Sequence, residues 1–179
     1  MRIISGRLKS FRFNPPKGFN SRPTTDFAKE SLFNLLSHRM SLVDLDILDL
    51  CAGTGNISFE FASREAGRIT AVDSNFKCVR FINMMAKKYE VGEDLSVIKS
   101  DAVKYLKATP NNYDLIFADP PFDRDFHKDI VTTVFEEGVL NENGLLIIEH
   151  GRDTVLTELP NFIEMRKYGS VHFSFFGEK

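Results

Sequence analysis

The 179-residue chain contains no tryptophan and only two cysteines, Cys51 and Cys78. Both cysteines occupy core-like positions, which predicts buried thiols rather than a disulfide scaffold. No run of about 18 apolar residues occurs, so the sequence predicts no membrane span. The four histidines show no metal-ligand spacing, and we expect no metal site. The N-terminus lacks the apolar segment of a signal peptide, which leads us to expect a cytoplasmic protein.

Acidic residues are absent from residues 1–22, which carry six lysines and arginines. The whole chain has a net charge of −2, so the remaining residues together carry −8. A basic arm on a mildly acidic body is typical of a protein that contacts RNA phosphates. We predict that residues 1–22 bind RNA through Arg7, Lys9 and Arg12. The alternative is a surface hairpin whose phenylalanines pack onto the body.

Short apolar runs alternate with helical patterns along most of the chain, and 179 residues suffice for one domain with a good core. The alternation predicts a doubly wound α/β sheet, whose ligands bind at the carboxyl ends of the strands. Residues 1–14 predict a small hairpin of two short strands about Gly6, and residues 162–176 predict an antiparallel hairpin. The predicted strands are 46–51, 68–72, 95–98, 113–118 and 144–148, and the predicted helices begin near Asp26 and cover 56–64, 75–89, 102–107 and 127–137.

The most informative stretch is Asp119-Pro120-Pro121-Phe122, which follows the apolar strand 113–118. Two successive prolines cannot donate ladder hydrogen bonds, so the strand stops and a rigid turn begins. The Asp119 carboxylate and the Pro120 carbonyl accept hydrogen bonds from an amino group, and Phe122 offers a face on which a base can stack. The motif predicts a site for a planar amine, such as a nucleobase amino group, although Asp-Pro-Pro also occurs as simple turn chemistry.

A second motif, residues 47–55, runs from an apolar strand into a turn that contains Gly53 and Gly55. Glycine lets the backbone turn tightly and lets a ligand approach it closely. The next apolar run ends in Asp73, where a carboxylate can accept from ribose hydroxyls. A dinucleotide-binding turn calls for glycine or alanine where this chain has Ser58, which disfavours a nicotinamide oxidoreductase. S-adenosylmethionine needs the turn and the carboxylate but no pyrophosphate cradle, so we expect it as the cofactor.

Together with these motifs, the stretches 1–7, 21–36 and 168–176 resemble the bacterial ribosomal RNA small-subunit methyltransferase D family, which belongs to the class I amino-methyltransferases. The likeness covers nearly the whole chain, with Cys51 where an aromatic residue is common in the family. It implies a Rossmann-like class I methyltransferase fold, in which a mostly parallel seven-stranded sheet ends in an antiparallel hairpin and carries a small N-terminal β-hairpin.

The resemblance also implies methyl transfer from S-adenosylmethionine to the N2 amino group of one guanine in 16S rRNA. We expect a monomer that acts on 16S rRNA or on the small ribosomal subunit, and residues 1–179 to form a single methyltransferase domain. A DNA or other RNA amino-methyltransferase, which modifies adenine N6 or cytosine N4, is the first alternative. The 179 residues of this chain leave no room for the separate recognition domain that such DNA enzymes usually carry. An RNA-binding module with an inactive site is the second, and the intact motifs argue against it.

Three sets of candidate residues follow from the motifs and the resemblance. The catalytic set is Asp119, Pro120, Pro121 and Phe122. The cofactor set is Asp49, Ala52, Gly53, Thr54, Gly55, Asp73, Ser74, Asp101, Ala102 and Asp119. The RNA set is Arg7, Lys9, Arg12, Arg22, Thr24 and Phe122. For Asp73 and Asp101 a helix-capping role is the alternative explanation. For Arg22 and Thr24 the alternatives are contact with the methionine end of the cofactor, a helix cap or a surface ion pair.

Overall fold

A computed structural model describes residues 1–14, 24–121 and 126–178 of the chain. The strands are β1 (Asp46–Leu50), β2 (Arg68–Asp73), β3 (Leu95–Lys99), β4 (Tyr113–Ala118), β5 (Leu140–His150), β6 (Phe162–Tyr168) and β7 (Val171–Phe176). The helices are α1 (Asp26–Arg39), α2 (Asn56–Ser63), α3 (Phe76–Lys88), α4 (Ala102–Leu106) and α5 (Phe126–Glu136).

The seven strands form one sheet in the order β3-β2-β1-β4-β5-β7-β6. The first five strands pair in parallel, and β7 pairs antiparallel with both β5 and β6. The predicted doubly wound sheet with its antiparallel hairpin is therefore confirmed. In this order the parallel strands place their carboxyl ends along one edge, where ligands of such sheets bind.

Successive residues of a strand point to opposite faces, and each face of this sheet has its own apolar core. Ile47 belongs to the core that also contains the N-terminal hairpin, α1, α2 and α3. Leu48, one residue further along β1, belongs to the core under α4 and α5. Because the central strands are covered on both sides, their sequences are continuous apolar runs, which explains why they were readily predicted.

The N-terminal hairpin is a turn closed by a single β-bridge, Arg2 opposite Arg12, rather than the predicted pair of short strands. Phe13 is fully buried and stacks on Phe59 of α2 with ring centroids 4.7 Å apart. Gly6 adopts φ 83°, and a Cβ atom there would lie 1.8 Å from the carbonyl oxygen of Ser63. The hairpin thus lies tightly against α2, and Phe13 has the packing role that was the alternative to RNA contact.

Most predicted boundaries lie within one residue of the observed ones, and two of the differences have a clear structural cause. The first strand ends at Leu50 because Cys51 already adopts a left-handed φ of 59°. The fifth strand begins at Leu140 rather than residue 144, since Tyr113 pairs with Leu140 across a register shift. Both differences arise from backbone pairing and turn geometry that leave no apolar pattern in the sequence.

Candidate active site

The turn after β1 is built from left-handed residues. Cys51, Gly53 and Gly55 have φ values of 59°, 56° and 74°. The Gly55 N–H donates to the Ala52 carbonyl at 2.7 Å, which closes the turn directly before α2. A Cβ atom on Gly55 would lie 2.9 Å from the ring of Phe59. This position therefore requires glycine for both its conformation and its packing.

Asp73 joins this turn to the start of α3. Its two carboxylate oxygens accept the backbone N–H groups of Gly53 and Asn75, each at 2.8 Å. Burial raises the pKa of Asp73, and these two hydrogen bonds oppose that rise. The helix itself is capped by Asn75, whose side chain accepts from the Lys77 N–H. Asp73 thus holds the glycine turn in place and lies beside it, where the ribose contact was predicted.

Three further carboxylates lie at neighbouring strand ends on one face of the sheet. Asp49 of β1 pairs with Phe117 of β4, and Ile148 of β5 pairs with Ala118. Glu149 therefore lies level with Asp119, the first residue after β4. Asp49 and Glu149 are only 1% and 3% exposed. The structure brings the two predicted aspartates together and adds Glu149, which the sequence reasoning missed although it directly follows the apolar run 144–148.

Burial dominates the electrostatics of these three acids. It raises the pKa of Asp49 to about 7, against two hydrogen bonds from Ser58. It raises the pKa of Glu149 to about 7, against one hydrogen bond from Thr24. The pKa of Asp119 lies well above its ordinary value because of burial and then because of the charges of Glu149 and Asp49. A cation bound here would favour their ionised forms, so the edge is suited to a positively charged ligand.

A chain of buried hydrogen bonds leads from this edge to the N-terminal hairpin. The Thr24 hydroxyl donates to Glu149 at 2.7 Å, and the Asn56 amide donates to the Thr24 carbonyl at 3.4 Å. The Lys29 ammonium donates to Asn56 at 2.9 Å and to the Arg2 carbonyl at 2.6 Å. Thr24 is thus fixed beside Glu149, while the neighbouring Thr25 caps α1.

Lys29 is the centre of this chain and is completely buried. Its ammonium lies 3.3 Å from a carboxylate oxygen of Glu60. Glu60 also accepts the backbone N–H groups of Ile4 and Ser5 of the hairpin, at 2.8 and 3.1 Å. Burial lowers the pKa of Lys29, and the charge of Glu60 opposes this. No sequence pattern marks Lys29, because contacts with segments distant in the sequence bury it.

The remaining predicted cofactor residues lie along the same edge. Asp101 is exposed at the end of β3 and caps α4, since its carboxylate accepts the Lys104 N–H at 3.1 Å. Ala102 is buried and Ser74 is exposed. The Ala52 N–H donates to Val72 at 3.1 Å, and the Thr54 hydroxyl donates to the sulfur of Met1. The capping role predicted as the alternative for Asp101 is therefore present.

The predicted RNA residues divide between the two edges of the sheet. Arg7 lies at the tip of the hairpin and forms an ion pair with Asp94, which precedes β3, at 3.6 Å. Arg12 lies at the open end of the hairpin, opposite Arg2, and Lys9 is close to the tip. Two predicted residues, Arg22 and Phe122, lie outside the described residues.

Of the catalytic motif, Pro120 is buried and Pro121 is exposed. Asp119 itself is fixed to β1, because its N–H donates to the Leu50 carbonyl at 3.3 Å. The motif thus leaves β4 beside the glycine turn, and its carboxylate lies at the edge of the sheet that Gly53 and Asp73 share.

His150 has structural surroundings. His150 is buried, with its ring nitrogens bonded to the Gly151 carbonyl and the Ser174 hydroxyl, and burial lowers its pKa to about 4. Both cysteines are free thiols. Across the described ranges, no cluster of three or more His, Cys, Asp or Glu side chains could hold a metal ion. No helix in the same ranges is long and apolar enough to cross a membrane.

Comparison with known proteins identifies relatives over nearly the full length. The family model described as conserved hypothetical protein 95 matches residues 1–177. YlbH of Bacillus subtilis (strain 168), named provisionally as an rRNA methyltransferase, is 33% identical over 93% of this chain and 91% of its own. Ribosomal RNA small subunit methyltransferase D of Escherichia coli (strain K12) is 30% identical over 89% of this chain and 79% of its own length. The solved structure of Escherichia coli yhhF, described provisionally as a methyltransferase, matches with a TM-score of 0.85 at 25% identity. The match covers 98% of this chain and 96% of the yhhF chain.

Proposed function

The chain belongs to the ribosomal RNA small subunit methyltransferase D family, and from this membership we propose that it transfers a methyl group from S-adenosylmethionine to the N2 amino group of a guanine in 16S rRNA. Its architecture is the Rossmann-like class I methyltransferase fold predicted from the sequence. A single domain that acts as a cytoplasmic monomer on 16S rRNA or the small subunit is part of the proposal.

One observation carries the proposal: a half-buried carboxylate followed by two prolines lies beside the glycine turn. Asp119 is the first residue after β4, and its backbone N–H donates a hydrogen bond to the carbonyl of Leu50, the last residue of β1. The turn at Gly53 and the carboxylate of Asp73 belong to the same edge of the sheet. This arrangement puts an acceptor for an amino group next to a turn suited to a nucleoside.

The residues of the turn fit S-adenosylmethionine. Gly53 and Gly55 carry no side chain that would keep a ligand from the backbone. Each Asp73 oxygen accepts one backbone N–H, and a carboxylate oxygen has room for a second donor, such as a ribose hydroxyl. Asp49, Ala52, Thr54, Ser74, Asp101 and Ala102 complete the proposed cofactor set along this edge. When bound, S-adenosylmethionine supplies a methyl group on a positively charged sulfonium.

The buried acids favour that positive charge. Burial raises the pKa values of Asp49, Asp119 and Glu149, and it brings those of Asp49 and Glu149 to about 7 in the free protein. A nearby cation stabilises the ionised carboxylates, and they in turn stabilise the cation. Glu149, held by Thr24, therefore joins the predicted residues as a contributor to the electrostatics of the site.

Asp119 would position the amine that accepts the methyl group. A guanine amino group is a poor nucleophile because its lone pair is delocalised into the ring. Hydrogen bonds from this group to the Asp119 carboxylate and the Pro120 carbonyl favour electron density on nitrogen and fix its direction. The remaining rate enhancement comes from holding two reactants in line. After transfer, the N–H bond breaks and its proton goes to Asp119 or to water.

The RNA side of the proposal rests on Phe122 and the basic arm. A guanine in folded RNA must leave its stack to enter the site. Phe122 would then stack on the base, and Arg22 and Thr24 would line the approach. Arg7, Lys9 and Arg12 would contact phosphates from the hairpin.

Transfer of radiolabelled methyl groups by the wild-type protein tests this function. The acceptors are 16S rRNA and small subunits from cells that lack the gene, compared with duplex DNA. We expect label in the ribosomal RNA and none in the DNA. Label in DNA alone would favour the alternative amino-methyltransferase, and binding of RNA without S-adenosylmethionine binding would favour an inactive module.

A further inference from the structure

Glu149 lies beside the residue that is proposed to hold the reacting amine. Ala118 of β4 pairs with Ile148 of β5, so Asp119 and Glu149 are level on neighbouring strands. Neighbouring strands of a sheet lie about 4.8 Å apart. The charge of Glu149 accordingly raises the pKa of Asp119, after the larger effect of burial. The two carboxylates therefore lie side by side at the edge of the sheet.

The Glu149 side chain is held in place but keeps room for a further donor. The Thr24 hydroxyl donates to its Oε2 atom at 2.7 Å, and the amide of buried Asn56 donates to the Thr24 carbonyl at 3.4 Å. Buried Phe173 of β7 pairs with Glu149 on the side away from Asp119. An ionised carboxylate has about four acceptor sites, and the Thr24 hydroxyl fills one of them. A ligand that is held by Asp119 can therefore donate to Glu149 as well.

The surroundings of Glu149 favour a ligand that brings N–H donors. Glu149 is only 3% exposed and adjoins half-buried Asp119. Burying an ionised carboxylate is unfavourable unless hydrogen bonds or an opposite charge replace its lost water. Thr24 offers a neutral hydroxyl. A bound sulfonium adds charge but no N–H group, whereas a base that carries an amine can supply N–H donors to both carboxylates.

Among the bases with an exocyclic amine, only guanine has a second donor next to it. The N2 amino group of guanine adjoins N1–H. The N6 amino group of adenine adjoins the N1 lone pair, and the N4 amino group of cytosine adjoins the N3 lone pair. Enzymes read an extruded base through hydrogen bonds to this edge. An ionised carboxylate only accepts hydrogen bonds, so it attracts N1–H of guanine and repels the lone pairs of the other two bases.

We propose that Glu149 selects guanine by accepting a hydrogen bond from N1–H while Asp119 accepts from the N2 amino group. This inference rests on the proposed function and adds the residue that distinguishes guanine from adenine and cytosine. Asp119 and the Pro120 carbonyl can hold the amino group of any base, so the choice of base requires a neighbouring group. Thr24 is a positioning residue, because its hydroxyl fixes the Glu149 carboxylate.

Replacement of the target guanine by 2-aminopurine tests the inference on the wild-type protein. This analogue keeps the 2-amino group but has a lone pair at N1 and no O6. Small subunits are reconstituted with 16S rRNA that carries either base at the position that the wild type methylates. Single-turnover transfer of labelled methyl groups is then measured below saturating enzyme. The wild type should transfer to guanine about 10- to 150-fold faster, the range for one hydrogen bond to a charged group.

Glu149→Gln tests whether this preference comes from Glu149. The amide keeps the size of the side chain, and its oxygen can still accept from Thr24, which leaves its N–H group for the base. Transfer to guanine should slow by about 10- to 150-fold, because N1–H then meets a donor. Transfer to 2-aminopurine should be at least as fast as in the wild type, because the amide can donate to N1. The preference for guanine should fall by at least the same factor, and this ratio cancels any intrinsic difference between the two amines.

Glu142→Gln is the matched control, since Glu142 is an exposed glutamate near the amino end of the same strand. Its transfer rates to both bases should equal those of the wild type. S-adenosylhomocysteine lacks the sulfonium charge, so its affinity reports on the cofactor site without the electrostatic contribution of Glu149. Calorimetric titration should give the same affinity for this product in the wild type, Glu142→Gln and Glu149→Gln.

Two results would overturn the inference. The first is equal transfer by the wild type to guanine and 2-aminopurine, which requires no variant to fold. The second is the same preference for guanine in Glu149→Gln as in the wild type, which would limit Glu149 to contacts with Thr24 and the cofactor. Both results include methylation of guanine and leave the proposed function intact. Failure of the wild type to methylate guanine in 16S rRNA or in small subunits would refute the proposed function itself, and the inference with it.

Discussion

Asp73 illustrates how one side chain can hold a turn and remain available to a ligand. Its oxygens accept from Gly53 and Asn75, each at 2.8 Å. We predict that Asp73→Ala lowers S-adenosylmethionine affinity by about 1–3 kcal/mol, the cost of losing a charged hydrogen-bond partner. Calorimetric titration measures this, with Asp153→Ala as the control, because Asp153 is an exposed aspartate outside the proposed cofactor set. Equal affinity in wild type and Asp73→Ala would remove Asp73 from the cofactor site.

The burial of Asp49, in contrast, destabilises the folded protein when this carboxyl is ionised. Its pKa is about 7 in the folded protein and 3.8 ordinarily. Between these two values the folded state binds more protons than the unfolded state, so this group lowers stability as pH rises from about 4 to 7. The amide of Asp49→Asn can still accept from Ser58 but does not ionise.

We therefore predict that Asp49→Asn gains free energy of unfolding relative to wild type as pH rises through this window, with the gain levelling off above about pH 7. Urea unfolding at pH 5 and pH 8 measures the change, and exposed Asp153→Asn is the control. A pH dependence in Asp49→Asn identical to that of the wild type would contradict the prediction. Glu149 has the same kind of shift, so the site retains acids that destabilise the fold at neutral pH.

Among the elements, those defined by local pattern were predicted and those defined by distant contacts were not. The runs around Leu48, Ile116 and Ile147 are buried on both faces, which makes their strands plain in the sequence. Glu149 was missed because a charged residue after an apolar run is typical of a strand end and does not by itself indicate a functional site. Lys29 was missed because the hairpin and α2, distant in the sequence, create its buried surroundings.

The N-terminal hairpin is an element with two separable ends. Its tip carries Arg7, ion-paired to Asp94, and Lys9, whereas Arg12 lies at the open end near Met1. Replacing Arg7, Lys9 and Arg12 together by Ala should weaken RNA binding, and each lost phosphate contact should reduce the log–log salt slope by about 0.7–0.9.

Arg12→Ala alone should account for the larger part of this loss of RNA affinity. The hairpin tip, which carries Arg7 and Lys9, lies toward the amino end of the sheet and so away from the candidate site. Filter binding at several salt concentrations checks this, with S-adenosylmethionine affinity as the control that should not change. A salt slope equal to that of the wild type in the triple variant would make the hairpin purely structural.

Over the whole molecule, the positive charges and the buried acids are spatially separated. The hairpin carries exposed cations, while Asp49 and Glu149 are buried and Asp119 is half-buried at the strand ends. Buried hydrogen bonds through Lys29, Asn56 and Thr24 connect the two regions. This division fits a protein whose surface attracts a phosphate backbone and whose interior accommodates a cationic methyl donor.

The identity of the methylated nucleoside tests the central claim most directly. Small subunits and 16S rRNA lacking the modification are incubated under single-turnover conditions with labelled S-adenosylmethionine and either wild type or Asp119→Ala, then digested and separated by mass spectrometry. We predict that the wild type yields N2-methylguanosine at one position of 16S rRNA. Asp119→Ala should fold, bind the cofactor and transfer methyl groups slower by orders of magnitude, because it cannot position the amine. Label on adenine or cytosine, or wild-type transfer by Asp119→Ala, would contradict the proposed chemistry.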